Sequence, residues 1–306
     1  MAVTFSSRLA DFWLAIERYR SGLKRSVTRV DGTSIPYLHG GQGPTVLLIH
    51  GFGGDAYNFA RVAARLRHHF RLVIPDLPGF GEAEKDAGQS YDIRSQARRI
   101  ALFLDALATG PVHVGGNSMG GFIAARLAQL RPTEVRSLWL LDALGCASSR
   151  NSEMFEMHRR TGRLPLIIRT REDFDECLRL VSARPFWLPA SLRRRYADRA
   201  INLADLHSKI ADLINQPDDD LTPLRDRMDV PTLIVWGEED RILSPDCISE
   251  QCAVFTRNTV IRLPGIGHLP MVEAPDRVAA DYLRFLSSLG SNGAVGARNA
   301  SRSTNR

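Results

Sequence analysis

The strongest constraint on the fold is a set of short runs that stay apolar along their whole length. TVLLIHG (45–51), RLVIPD (71–76), PVHVGGNS (111–118) and VRSLWLLDA (135–143) are rich in Val, Leu and Ile and do not alternate with polar residues. A strand with one wet face alternates, whereas a strand covered on both faces does not. Between these runs, NFARVAARLRHH, YDIRSQARRIALFLDALAT and MGGFIAARLAQLRP carry apolar residues at helical spacing. Strand–helix repetition from residue 33 to 145 predicts an α/β fold, a mostly parallel sheet doubly wound by helices on both faces.

The rhythm stops near residue 145. Segment 146–225 is helical in period and holds no convincing strand, and strands resume at PTLIVWGEED (231–240) and NTVIRLP (258–264). A helical block between two strand–helix segments reads as an inserted cap. We therefore expect a core at 28–145 and 226–289 and a helical cap at 146–225. Residues 290–306, GSNGAVGARNASRSTNR, are poor in apolar groups and read as a disordered tail.

Residues 1–27 read as an amphipathic N-terminal helix. Phe5, Leu9, Phe12, Trp13, Ile16 and Leu23 fall on one face of a segment that also bears Arg8, Arg18, Arg20, Lys24 and Arg25. Two readings stand: a helix packed on the protein body, or one lying on an anionic membrane surface as a peripheral contact. Asp11, Glu17 and Arg18 interrupt any continuous apolar run, so the segment does not read as a secretory signal.

No stretch approaches the length of a membrane-spanning helix. The net charge of +6 owes much to a tail with three arginines and no acid, and no nucleic-acid-binding fold is recognisable, so nucleic acid is not expected as a partner. Four cysteines without C-x-x-C spacing point to free thiols in a reducing compartment, hence to a cytoplasmic protein. Nothing in the sequence reports the oligomeric state.

Gly116-Asn117-Ser118-Met119-Gly120 fits G-x-S-x-G where a buried strand meets a helix. Such a turn is too tight for large flanking side chains, and it projects a serine hydroxyl out of the sheet. The hydroxyl needs a base. Of eight histidines, His268 alone sits in a glycine-flanked loop (LPGIGHLPMVEAP) after the last strand and before the closing helix. His50, at the end of an earlier strand, reads as a turn-tying residue. The base needs a carboxylate, and Asp240 at the end of PTLIVWGEED is the candidate, with Glu238 and Glu239 as rivals that read as surface charges. HGFGG (50–54) offers the backbone N–H of Phe52 for an oxyanion, and Met119 offers a second. No metal or organic cofactor is called for, since serine, imidazole and carboxylate suffice.

Taken together, HGFGG, PDLPGFG (75–81), GNSMGG, WGEEDRILSP and GIGHLPMVEAP resemble the α/β-hydrolase superfamily in order and spacing over residues 30–288. The chain is most similar to the branch of monoacylglycerol lipases and family V bacterial lipases, through GNSMGG, the acid in W-G-x-x-D and the stretch REDFDECLRLVSARPFWLPASLRRRYAD. The resemblance implies an α/β-hydrolase fold with an inserted helical cap and a serine carboxylester hydrolase of acylglycerols or other lipophilic esters. Spanning members of that branch carry a long apolar anchor; this chain has only an amphipathic stretch.

Phe155, Phe186, Trp187 and Leu269 are the candidate substrate-binding residues. Dehalogenases and epoxide hydrolases of the superfamily use aspartate where this chain has Ser118. Carbon–carbon bond hydrolases of ring-cleavage products share GNSMGG but carry HGxGPG and a Trp after the histidine, against Phe52-Gly53-Gly54 and Leu269 here. They are the alternative enzyme, and a catalytically silent binding protein is the alternative of another class.

Overall fold

The computed structural model describes residues 5–86, 88–214 and 228–300, with residues 5–7 and 290–300 described by backbone alone. In chain order the elements are α1 (Phe5–Ser21), β1 (Lys24–Val30), β2 (Thr33–Gly40), β3 (Thr45–Ile49), α2 (Ala60–Leu66), β4 (Arg71–Pro75), α3 (Ile93–Ala106), β5 (Val112–Asn117), α4 (Met119–Leu130) and β6 (Val135–Leu141). Four helices follow: α5 (Glu153–Thr161), α6 (Arg171–Val181), α7 (Ala190–Asn202) and α8 (Ala204–Ile214). The chain ends with β7 (Thr232–Gly237), α9 (Cys247–Val254), β8 (Asn258–Leu263), α10 (Pro270–Glu273) and α11 (Pro275–Ala300).

The eight strands form one sheet in the order β1-β2-β4-β3-β5-β6-β7-β8. Strands β3 to β8 run parallel, while β2 is antiparallel to both β1 and β4. The apolar runs are explained by burial on both sides. Leu47, Ile49, Val114, Leu140 and Ile234 meet α3 and α4 on one face, and Val46, Leu48, Leu141 and Val235 meet α2 and α11 on the other. Trp139 stacks on Tyr282 at 4.1 Å, pinning α11 to the sheet centre.

The β1–β2 hairpin departs from the sequence expectation, which began the strands at residue 33 and ran the N-terminal helix to 27. Helix α1 stops at Ser21, Gly22 turns with φ +65°, and β1 begins at Lys24. Strand β1 is an edge strand with Lys24 and Arg25 exposed, so it lacks the apolar signature of the buried strands. Asp31 and Gly32 make the turn with φ of 49° and 79°, a pairing suited to a two-residue hairpin loop.

The buried stripe of α1 also differs from the expected one. Ala10 and Leu14 are buried against Leu192 of α7, whereas Leu9 and Phe12 face solvent. Leu23, placed by sequence on the helix, lies beyond its end and packs in the core. Among the described residues no helix is long and apolar enough to cross a membrane.

The backbone of α11 continues to Ala300, into the stretch whose composition reads as a disordered tail, since each added turn costs little once the helix is nucleated. Residues 301–306 lie outside the described residues, as does 215–227 at the end of the expected cap.

Candidate active site

The carboxyl ends of β3, β5, β6 and β7 converge at one rim of the sheet, where open α/β sheets place their sites. Ser118 sits between β5 and α4 with φ 54° and ψ −122°, a conformation that costs a non-glycine residue energy and that the surroundings hold in place. Its N–H donates to Leu141 O at 3.0 Å, and its carbonyl accepts from Gly121 at 3.0 Å and Leu144 at 3.0 Å. The glycines around it have steric causes. A Cβ on Gly116 would lie 2.2 Å from Gly120 O, and one on Gly120 would lie 2.2 Å from Ile49 O.

His268 Nδ1 is 2.8 Å from Asp240 Oδ2, and both side chains are buried. Asp240 Oδ1 accepts from the N–H groups of Ile242 at 2.8 Å and Leu243 at 3.1 Å, which fixes the orientation of its carboxylate. With Nδ1 engaged, Nε2 is the ring atom left for proton transfer. The loop is brought to the serine through Asn117, whose Nδ2 donates to His268 O at 3.0 Å and to Leu141 O at 3.1 Å. Glu238 and Glu239, the rival carboxylates, face solvent.

The loop after β3 packs against the serine: a Cβ on Gly51 would lie 3.1 Å from Ser118 Cβ. Phe52 N–H makes no hydrogen bond among the described residues, and Met119, as the first residue of α4, has no intrahelical acceptor for its own. His50 is fully buried between Gly51 O at 2.8 Å and the Leu77 N–H at 3.0 Å. Burial lowers its pKa to about 4, so it stays neutral and ties the turn.

The four candidate substrate-binding residues do not end up together. Phe155, Phe52 and Leu269 share one apolar cluster with Met119. Phe186 is half-buried outside it. Trp187 is 71% exposed and packs edge-on against Trp13 of α1, because the Pro-flanked stretch of chain before α7 carries it outward. His207 of α8, unremarkable in the sequence, stacks on Phe80 at 5.1 Å and meets Phe52 at 5.4 Å. Burial lowers its pKa to about 4.

Sequence reasoning passed over Asp142, immediately after β6. It is fully buried, holds φ 45°, and its Oδ1 accepts from the Gly237 N–H at 2.8 Å. One side-chain oxygen or nitrogen each from Asp142, Asp240 and His268 lie within 4.8 Å of one another. Burial, then the charge of Asp240, pushes the Asp142 carboxyl well above the usual range. An acid closing an apolar strand at this rim was the available signal.

Glu273 belongs to GIGHLPMVEAP, a motif that by itself assigns it no role. Its carboxylate accepts from Gly267 at 3.1 Å and Leu269 at 3.4 Å, on either side of His268, and from Ala183 at 2.9 Å. Glu273→Ala strands these three N–H groups. We expect a loss of about 2 kcal/mol in urea unfolding, with kcat reduced and KM little changed. Unaltered stability and kcat would mean that the carboxylate does not hold the loop.

Residues 44–275 match the family described as alpha/beta hydrolase fold. Lipase 1 of Psychrobacter immobilis is 36% identical over 279 residues, covering 89% of this chain and 87% of the relative. Monoacylglycerol lipase ABHD6 of Rattus norvegicus is 28% identical over 259 residues, covering 81% of this chain and 77% of the relative. Among solved structures, that of a membrane phospholipase A, described as a bacterial virulence factor, is similar with TM-score 0.89 and 38% identity over 92% of each chain. A meta-cleavage product hydrolase, at 21% identity and TM-score 0.72, shares the fold.

Proposed function

The chain belongs to the α/β-hydrolase family, and on that premise we propose that it is a serine carboxylester hydrolase, a lipase or esterase acting on lipophilic esters through an acyl-enzyme. The observation that carries this reading is the buried His268–Asp240 bond of 2.8 Å on a loop anchored to Asn117, the neighbour of a strained Ser118.

In the proposed cycle His268 Nε2 takes the Ser118 proton as the hydroxyl attacks the ester carbonyl. Asp240 holds the imidazole in the tautomer with hydrogen on Nδ1 and stabilises the imidazolium. The N–H groups of Phe52 and Met119 receive the oxyanion, each lowering the barrier by about 3 kcal/mol. His268 then protonates the departing alcohol, and water repeats the attack on the acyl-enzyme. Phe155, Phe52 and Leu269 supply apolar surface for the acyl chain, with no cofactor required.

Monoacylglycerols are the proposed substrate class, after the relatives named lipase and monoacylglycerol lipase. The protein is proposed to reach lipid as a peripheral protein on the cytoplasmic side. Leu9, Phe12 and Tyr19 of α1 and the neighbouring Trp187 form an exposed apolar edge beside Arg8 and Arg20.

A panel of monoacylglycerols, triacylglycerols, p-nitrophenyl esters and ring-cleavage diketones, run with and without anionic vesicles, tests this reading. Octanoate and longer esters should turn over fastest, with vesicles raising the rate. A sharp preference for acetate, or turnover of the diketones alone, would overturn it.

A further inference from the structure

Two carboxyl groups stand in contact behind the histidine, and the proposed cycle uses only one. Asp240 already receives the Ile242 and Leu243 N–H groups on Oδ1 and the His268 ring on Oδ2. Asp142 spends Oδ1 on the Gly237 N–H, which leaves Oδ2 buried with no donor, and a carboxyl oxygen of Asp142 lies within 4.8 Å of one of Asp240. Two buried carboxylates so placed repel, and the pair relaxes by keeping one proton. The surroundings decide which carboxyl keeps it. Asp240 faces three donors and Asp142 only one, so the proton stays with Asp142.

Among the described residues no cation competes for this site. Arg241, the basic residue of the Asp240 loop, turns its guanidinium to the carbonyls of Arg179 and Ser182. The remaining charged group facing the pair is Glu273, itself an acid. The backbone strain at Asp142 fits a residue kept for its side chain, since φ 45° suits Asn or Gly at least as well.

We infer that Asp142 is a positioning residue of the proton relay: its carboxyl stays neutral, donates from Oδ2 to Asp240, and leaves one negative charge behind His268. It touches neither substrate nor the reacting atoms. It disperses the charge of Asp240 and so sets how strongly that carboxylate holds the imidazolium. This inference rests on the proposed roles of Ser118, Asp240 and His268.

The test compares pH profiles of kcat/KM for wild type, Asp142→Asn and Asp142→Ala, after labelling of Ser118 by a fluorophosphonate in wild type. Failure to label rejects the relay itself, independently of Asp142. Asn keeps an acceptor for Gly237 and a donor for Asp240, so its acidic limb should coincide with that of wild type and kcat should stay within a few-fold. Ala removes the donor, so the Asp240 carboxylate is left to hold the imidazolium more strongly. Its limb should move up by about half a unit, and kcat should fall about tenfold with KM unchanged.

A limb that moves to lower pH in Asp142→Asn would mean that a second anion had been removed, which overturns the inference. An Ala variant that matches wild type also overturns it. Should the Ala variant fail to fold, infrared spectroscopy decides. The C=O stretch of a protonated carboxyl should be present in wild type at pH 8 and missing in Asp142→Asn, and its absence from wild type refutes a neutral Asp142.

Discussion

Ser118→Ala should lower kcat on a p-nitrophenyl octanoate substrate by about a millionfold while leaving the protein folded. The size follows from the division of labour at the site. Without the hydroxyl there is no acyl-enzyme, and His268 and Asp240 have nothing to activate. What survives is the field of the Phe52 and Met119 N–H groups acting on attack by water, which leaves a residue of about a thousandfold over the uncatalysed rate. Stability should change by less than about 1 kcal/mol, because the contacts that fix residue 118 run through its main chain to Leu141, Gly121 and Leu144. Labelling by a fluorophosphonate should disappear in parallel. An alanine variant that keeps its esterase activity would remove Ser118 from the chemistry and with it the whole proposed cycle.

The elements legible in the sequence were those that satisfy one demand at a time. Strands β3 to β7 announce themselves because both faces are buried, so every residue from Val46 to Ile49 is apolar. Ser118 was legible because Gly116 and Gly120 must yield to backbone atoms 2.2 Å away, a local steric rule written in adjacent residues. Asp240 and His268 were legible from their loops alone.

What escaped was set by partners distant in the chain. Strand β1 reads as polar because it is an edge. Trp187 reads as pocket lining because nothing local reveals that it meets Trp13. Asp142 looks like the ordinary end of a strand until Asp240, nearly a hundred positions later, is folded against it.

The second large effect is expected at Arg199, which sits on α7 yet serves the sheet. Its Nη2 reaches Asp55 Oδ2 at 2.9 Å, and both side chains are largely buried. Asp55 caps the turn at 56–59 that follows HGFGG, and Asp76 lies beside it, accepting from Ala56 and Glu82 N–H groups at 2.8 Å each. Asp55 and Asp76 thus lie together beside the Arg199 guanidinium. Lys85, another cation near Asp76, is bonded to the carbonyls of Gly81 and Ala83. Arg199→Leu would leave those acids uncompensated, and we expect a loss of about 3–5 kcal/mol in unfolding free energy at pH 8.

The loss should depend on pH in one direction. Burial and the charge of Asp55 raise the Asp76 pKa to about 6, so the folded state holds a proton there that the unfolded chain releases near pH 4. This group therefore favours folding below pH 4 and progressively less as pH climbs to 6. Without the guanidinium the Asp76 carboxyl titrates higher still, so near pH 5 it carries a proton in place of a partner. The deficit of Arg199→Leu should accordingly be small at pH 5 and full at pH 8. Adding Asp55→Asn to the Arg199→Leu variant should recover part of it, by removing one of the stranded charges. Equal losses at the two pH values, or no recovery in the double variant, would mean that Arg199 stabilises the fold through packing, as over the Tyr196 ring of its own helix, instead of by neutralising the acids beneath it.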